Sequence, residues 1–70
     1  MRSVYYYDSA VYDYETSEIL GDVGYSIFEN IYYATTYASP PMEETFKSHD
    51  DALAWLLEAL DAYVEYEEGE

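Results

Sequence analysis

Cysteine is absent from this 70-residue chain, so neither a disulfide framework nor a thiolate metal site can supplement its core. Basic residues are almost absent as well. Arg2 and Lys47 stand against 16 aspartates and glutamates, for a net charge of -14, and ion pairing within the chain cannot cancel that. No apolar stretch approaches the roughly 20 residues that cross a bilayer; the longest is Ala52 to Leu57. The start, Met1-Arg2-Ser3-Val4-Tyr5, has no aliphatic run of the kind that makes a secretion signal. The expectation is a soluble, cytoplasmic protein. Its field repels nucleic acid and anionic membrane, which disfavours direct binding of either, and draws in cationic surfaces.

What the chain does contain is hydrophobic and aromatic material. Half of its residues are apolar and 11 are tyrosine, too much for a disordered acidic tail, so a single folded domain over 1–70 is expected. Tyrosine suits both strands and recognition surfaces.

The first half reads as strands, about 3–38. Val4 to Tyr7 and Val11 to Glu15 are aromatic and β-branched runs separated by Asp8-Ser9-Ala10. One bulged strand is favoured over two short ones. Tyr12 and Tyr14 alternate with Asp13 and Glu15, which assigns the tyrosines to the core and the carboxylates to solvent. Ile19, Val23, Tyr25 and Ile27 share one face of a second strand, with Asp22 opposite. Ile31 to Ala38 makes a third, ended by Ser39-Pro40-Pro41. Thr45-Phe46-Lys47 adds a short extended segment.

Ser48 reads as the N-cap of a helix over about 49–66, with Asp50 and Asp51 in its positive first turn. Leu53, Leu56, Leu57, Leu60 and Val64 form its apolar stripe at 3.6 residues per turn. Trp55 sits on the flank and is expected beneath the loop of Pro40 and Pro41, or else, if exposed, to serve as an interface anchor. On the far side Asp51, Glu58, Asp61 and Glu65 form a second stripe, continued by Glu68, and the acidic C-terminus is expected to fray. The fold class expected is therefore α+β, an antiparallel sheet of three or four strands packed by one C-terminal helix.

Motifs for chemistry are missing. No glycine-rich phosphate loop surrounds Gly21 or Gly24, and no calcium loop spacing connects Asp13, Glu15 and Glu18. His49 has no thiol partner, and its neighbour Ser48 is accounted for as a cap. The chain is read as non-catalytic, with no cofactor and no metal site.

The remaining constellation is electrostatic. A helix from Asp51 to Glu68 is about 25 Å long, the reach of roughly seven phosphates spaced ~3.4 Å along one DNA strand. In size, charge and carboxylates on a scaffold with aromatic residues among them, the chain resembles the loose class of small acidic DNA-mimic proteins of phages and mobile elements. That class includes anti-CRISPR, anti-restriction and uracil-DNA glycosylase inhibitors. The resemblance implies a non-catalytic inhibitor acting in the host cytoplasm on the basic surface of a nucleic-acid-binding protein or complex. The partner-binding residues expected are Asp51, Glu58, Asp61, Glu65 and Glu68, with Asp13, Glu15 and Asp22 on the sheet and Trp55 on the helix flank. The run from Phe46 to Leu56 also resembles the strand-to-capped-helix step of HicB-type antitoxins, which implies the alternative of an acidic partner for a basic toxin. Halophilic adaptation is a third reading of the same charge.

Overall fold

The computed structural model describes residues 1–67 and contains β1 (Arg2–Tyr7), β2 (Ala10–Asp13), β3 (Ile19–Ser26), β4 (Ile31–Thr36), β5 (Glu43–Phe46), α1 (His49–Ala59) and β6 (Ala62–Glu67). All six strands join one sheet in the order β5-β4-β3-β2-β1-β6. Neighbours are antiparallel except β1 and β6, which run parallel. The expected antiparallel sheet of three or four strands is thus corrected to a mixed sheet of six, and the helix is followed by an edge strand.

Three local features account for the difference. First, Tyr7 pairs with Ala10 across Asp8 and Ser9, both at positive φ (52° and 67°). Positive φ at both central residues is the two-residue hairpin geometry that matches strand twist. The favoured single bulged strand over Val4–Glu15 is therefore two strands. Second, β5 starts at Glu43, two residues past the prolines, and pairs with β4 through Tyr32↔Phe46 to Thr35↔Glu43. Third, the helix stops at Ala59 and not near Tyr66. Leu60 N–H donates to Leu56 O at 3.0 Å and Asp61 N–H to Glu58 O at 3.1 Å, closing the last turn. Asp61 then turns the chain at φ 54°, a conformation aspartate tolerates better than most side chains.

The helix start agrees with the sequence. Ser48 is the N-cap, and its hydroxyl accepts the Asp51 N–H at 3.0 Å. Such a cap contributes on the order of 1 kcal/mol.

Because β1 and β6 are parallel while β1 to β5 alternate, β5 and β6 run the same way at opposite edges. The helix carries the chain back across one face, resting against β3, β4, β5 and β6. Beneath it lie Val4, Val11, Val23 and Ala34, closed from above by Ala52 and Leu56, all buried. Leu53, Leu57 and Leu60, expected in the core, are half-buried and pack around it. Trp55 is half-buried with Phe46 of β5 as its ring neighbour at 6.0 Å, while Pro40 and Pro41 are exposed. The expected cover from the proline loop is replaced by the edge strand.

Candidate functional site

Only one face of the sheet carries the helix. The smallest extent of the molecule is 16 Å, room for a helix over a sheet with no third layer. Pairing partners share a face, so the register decides what the second face shows. Val4, Tyr6 and Val11 pack toward the helix along with Gly21, whose position lies against Leu56. Ser3, Tyr5, Tyr7 and Tyr12 therefore point the other way, joined by Asp22, Tyr33, Thr35, Glu43 and Tyr63. Tyr14 and Tyr37, just past the ends of β2 and β4, extend this face through their contacts with Tyr5 and Asp22.

The assignment of Tyr12 and Tyr14 to the core with Asp13 outward is thereby inverted. Val11 and Asp13 share the helix-side face, and valines supply the core there without any hydroxyl to satisfy. Tyr12 and Tyr14 occupy the face left uncovered.

Their rings are organised. Tyr5 stacks on Tyr12 with centroids 5.1 Å apart and planes 13° from parallel, and Tyr14 meets Tyr5 edge-on at 6.2 Å. The hydroxyls are engaged as well. Tyr37 donates to Asp22 Oδ2 at 2.7 Å, Tyr33 donates to Glu29, and Ser3 donates to the Tyr63 hydroxyl at 2.8 Å. Hydrogen bonding to these carboxylates, aided by partial desolvation, raises the phenols of Tyr37 and Tyr33 above their ordinary value. Both stay protonated donors at neutral pH and fix the orientation of Asp22 and Glu29. The result is a stiff aromatic surface with carboxylates at set positions.

The other expected partner-binding residues are scattered. Asp51 and Glu58 are exposed on the helix, on the opposite side of the sheet from Asp22, and Asp61 is exposed in the turn after it. Glu65 belongs to β6 and Glu68 lies outside the described residues. The five-carboxylate stripe along one 25 Å rod is not present. A helix of 11 residues spans only about 16 Å. Asp13 holds the turn after β2, its Oδ1 accepting the N–H groups of Glu15 at 2.9 Å and Thr16 at 3.0 Å. Those bonds, Thr16 first, hold its carboxyl below the ordinary range. Arg2 Nε lies 4.0 Å from its other oxygen, and Glu15 is exposed beside it. Trp55, facing Phe46, belongs to the packing and not to an open anchor.

Sequence reasoning missed two things. The tyrosines were visible as a count, but nothing in their spacing said which face would stay open. Ile27, expected on the shared face of the second strand, instead lies past the end of β3 at Ser26, in a turn that displays Ile27 and Phe28 at 75% and 94% exposure.

His49 is absorbed by packing. Its Nε2 lies 2.7 Å from the Tyr6 hydroxyl and its ring sits edge-on to Tyr6 and Tyr32. Among the described residues no group of three His, Cys, Asp or Glu side chains is placed to hold a metal ion. No protein-family model matches this chain, and neither a curated protein nor a solved structure matches it significantly.

Proposed function

We propose that this protein is a non-catalytic inhibitor that occupies the basic surface of a nucleic-acid-binding protein, as anti-CRISPR and anti-restriction DNA mimics do. The observation that carries the reading is the charge, -14 on 70 residues, with exposed carboxylates on both sides of a thin sheet. A groove lined with lysine and arginine would exchange its counterions for such a body much as it does for DNA. With the long acidic helix gone, mimicry rests on the field of the whole body and no longer on one rod with phosphate spacing.

The test is capture of a nucleic-acid enzyme from cell extract, repeated with excess duplex DNA, followed by affinity measurements across salt. Capture should be lost to DNA. Affinity should fall about 100-fold between 50 and 200 mM salt, the slope of roughly four displaced charge contacts. Capture that ignores DNA, with a flat salt response, rejects mimicry.

The β3–β4 tip favours a second reading, an acidic partner of a basic protein such as a toxin. Ile27 and Phe28 are held out by a rigid turn: Asn30 N–H donates to Ser26 O at 2.7 Å, Glu29 N–H to Ser26 Oγ at 3.2 Å, and Tyr25 to the Asn30 side chain. A preorganised, exposed aromatic is the kind of anchor that fills an apolar recess in a protein, and a phosphate backbone has no counterpart to it. Phe28→Ser should leave the stability within about 0.5 kcal/mol of the parent, because the ring is in solvent. On this reading it should weaken the partner complex by about 30-fold or more. Unchanged affinity for the captured partner would return the tip to solvent.

A further inference from the structure

We infer that the open face of the sheet is a docking surface for arginine, and that the occupant it fits is an arginine-rich segment of the partner protein. The inference rests on the reading that the partner is basic and adds which cation is taken and where. Three observations converge on it.

The first is charge. Asp22 and Glu43 lie on this face with Glu29 at its end, and the chain's own cations are elsewhere. Arg2 is in register with Ala62 beside Val4, on the helix side, and Lys47 lies between β5 and α1. The carboxylates of the open face are thus left for a cation from outside. Nucleic acid and anionic lipid are repelled, and a second copy would bring the same -14 charge to the surface.

The second is the aromatic lining. Tyr14, Tyr5 and Tyr12 form one run of ring contacts, and Tyr37 lies on the same face through its bond to Asp22. Tyr37 itself is 49% exposed. A guanidinium is planar and weakly hydrated, so it stacks on such rings, whereas an ammonium is a compact, strongly hydrated point charge.

The third is orientation. The Tyr37 hydroxyl pins one oxygen of Asp22 at 2.7 Å beside that exposed ring. A carboxylate has about four acceptor positions, so the pinned group keeps capacity for the fork of a guanidinium stacked on the neighbouring ring. Ring and carboxylate held in one place are worth more to arginine than to lysine.

The experiment compares labelled nona-arginine and nona-lysine peptides, equal in charge, for binding to the whole protein by fluorescence anisotropy at several salt concentrations. The arginine peptide should bind about tenfold tighter, the yield of two exposed cation–π contacts. NMR shift changes in its presence should centre on Tyr12, Asp22 and Tyr37. Asp22→Asn and Tyr37→Phe, each checked for an intact circular dichroism spectrum, should reduce the preference, while Asp51→Asn with Glu58→Gln on the helix side should lower both affinities and leave it intact. Equal affinity of the two peptides for the parent protein, which needs no variant, overturns the arginine assignment and leaves the basic-partner reading standing. Preference that survives both sheet-face variants overturns the location. Failure of both peptides to bind at low salt overturns this inference and the proposed function together.

Discussion

Leu56→Ala is expected to lower the unfolding free energy by about 2–5 kcal/mol, enough to leave a domain of this size partly unfolded at room temperature. Leu56 is fully buried and is the largest such side chain described. It reaches from the middle of α1 to β3, where its Cδ1 comes within 2.9 Å of the site a Gly21 Cβ would take. Around it the core is made of valines and alanines, whose short side chains cannot extend into the vacated volume. The cavity therefore stays. Urea denaturation followed by far-ultraviolet circular dichroism should show the midpoint moving by at least about 0.7 M, given slopes of roughly 1–3 kcal/mol per molar. A midpoint within error of the parent would refute the placement of Leu56 at the helix–sheet contact.

The complementary change adds atoms at the same contact. In Gly21→Ala the new Cβ would lie 2.5 Å from the Thr35 carbonyl oxygen and 2.9 Å from Leu56 Cδ1. A side-chain methyl can swing aside, but the carbonyl belongs to β4, whose Thr36 pairs with Gly21 itself. We expect a loss near the upper end of the roughly 1–3 kcal/mol seen for overpacked cores. Gly24 provides the control on the same strand. A Cβ there meets nothing within 4 Å, so Gly24→Ala should be neutral or stabilising by roughly 0.4–1 kcal/mol through the unfolded chain. Combining Gly21→Ala with Leu56→Ala should cost less than the sum, since one of the two obstacles has been removed, yet more than Leu56→Ala alone because the carbonyl remains. Full additivity would mean that Gly21 and Leu56 do not touch.

Several parts of the fold were legible because their causes are local. Ser48 caps the helix by a bond three residues along the chain, Leu56 lies on its apolar stripe, and the break at Ser39-Pro40-Pro41 follows from residues that cannot donate to a ladder. The hairpin at Asp8-Ser9 was not legible as such. It carries no glycine, the usual mark of a turn whose central residues both need positive φ.

The C-terminal strand shows the limit most clearly. Leu60 and Val64 continue the four-residue spacing of the helix, and no glycine or asparagine marks a stop after Ala59. The same segment, Ala62-Tyr63-Val64, also alternates as a strand does. Both patterns are present in one sequence, and the choice was made by β1. Without a neighbour on that side, β1 would leave Tyr5 and Tyr6 on an open edge, whose unpaired backbone groups β6 satisfies by parallel pairing. Loss of the helix beyond Ala59 removed Asp61 and Glu65 from the acidic stripe, so the candidate site changed with the fold.

Composition alone determined that this chain is strongly anionic, rich in tyrosine and without disulfides, because charge and residue type are carried by the chain in any conformation. Periodicity determined which residues travel together, such as Tyr12 with Tyr14 and Val11 with Asp13. Which member of each pair meets the helix was decided only in the tertiary structure. A strand pattern of period two is unchanged when the strand is turned over, and the choice depends on the one helix having a single face of valines, alanines and Gly21 into which Leu56 can fit. That placement left Tyr5, Tyr12, Tyr33 and Asp22 on the opposite face, where no element of the described chain covers them.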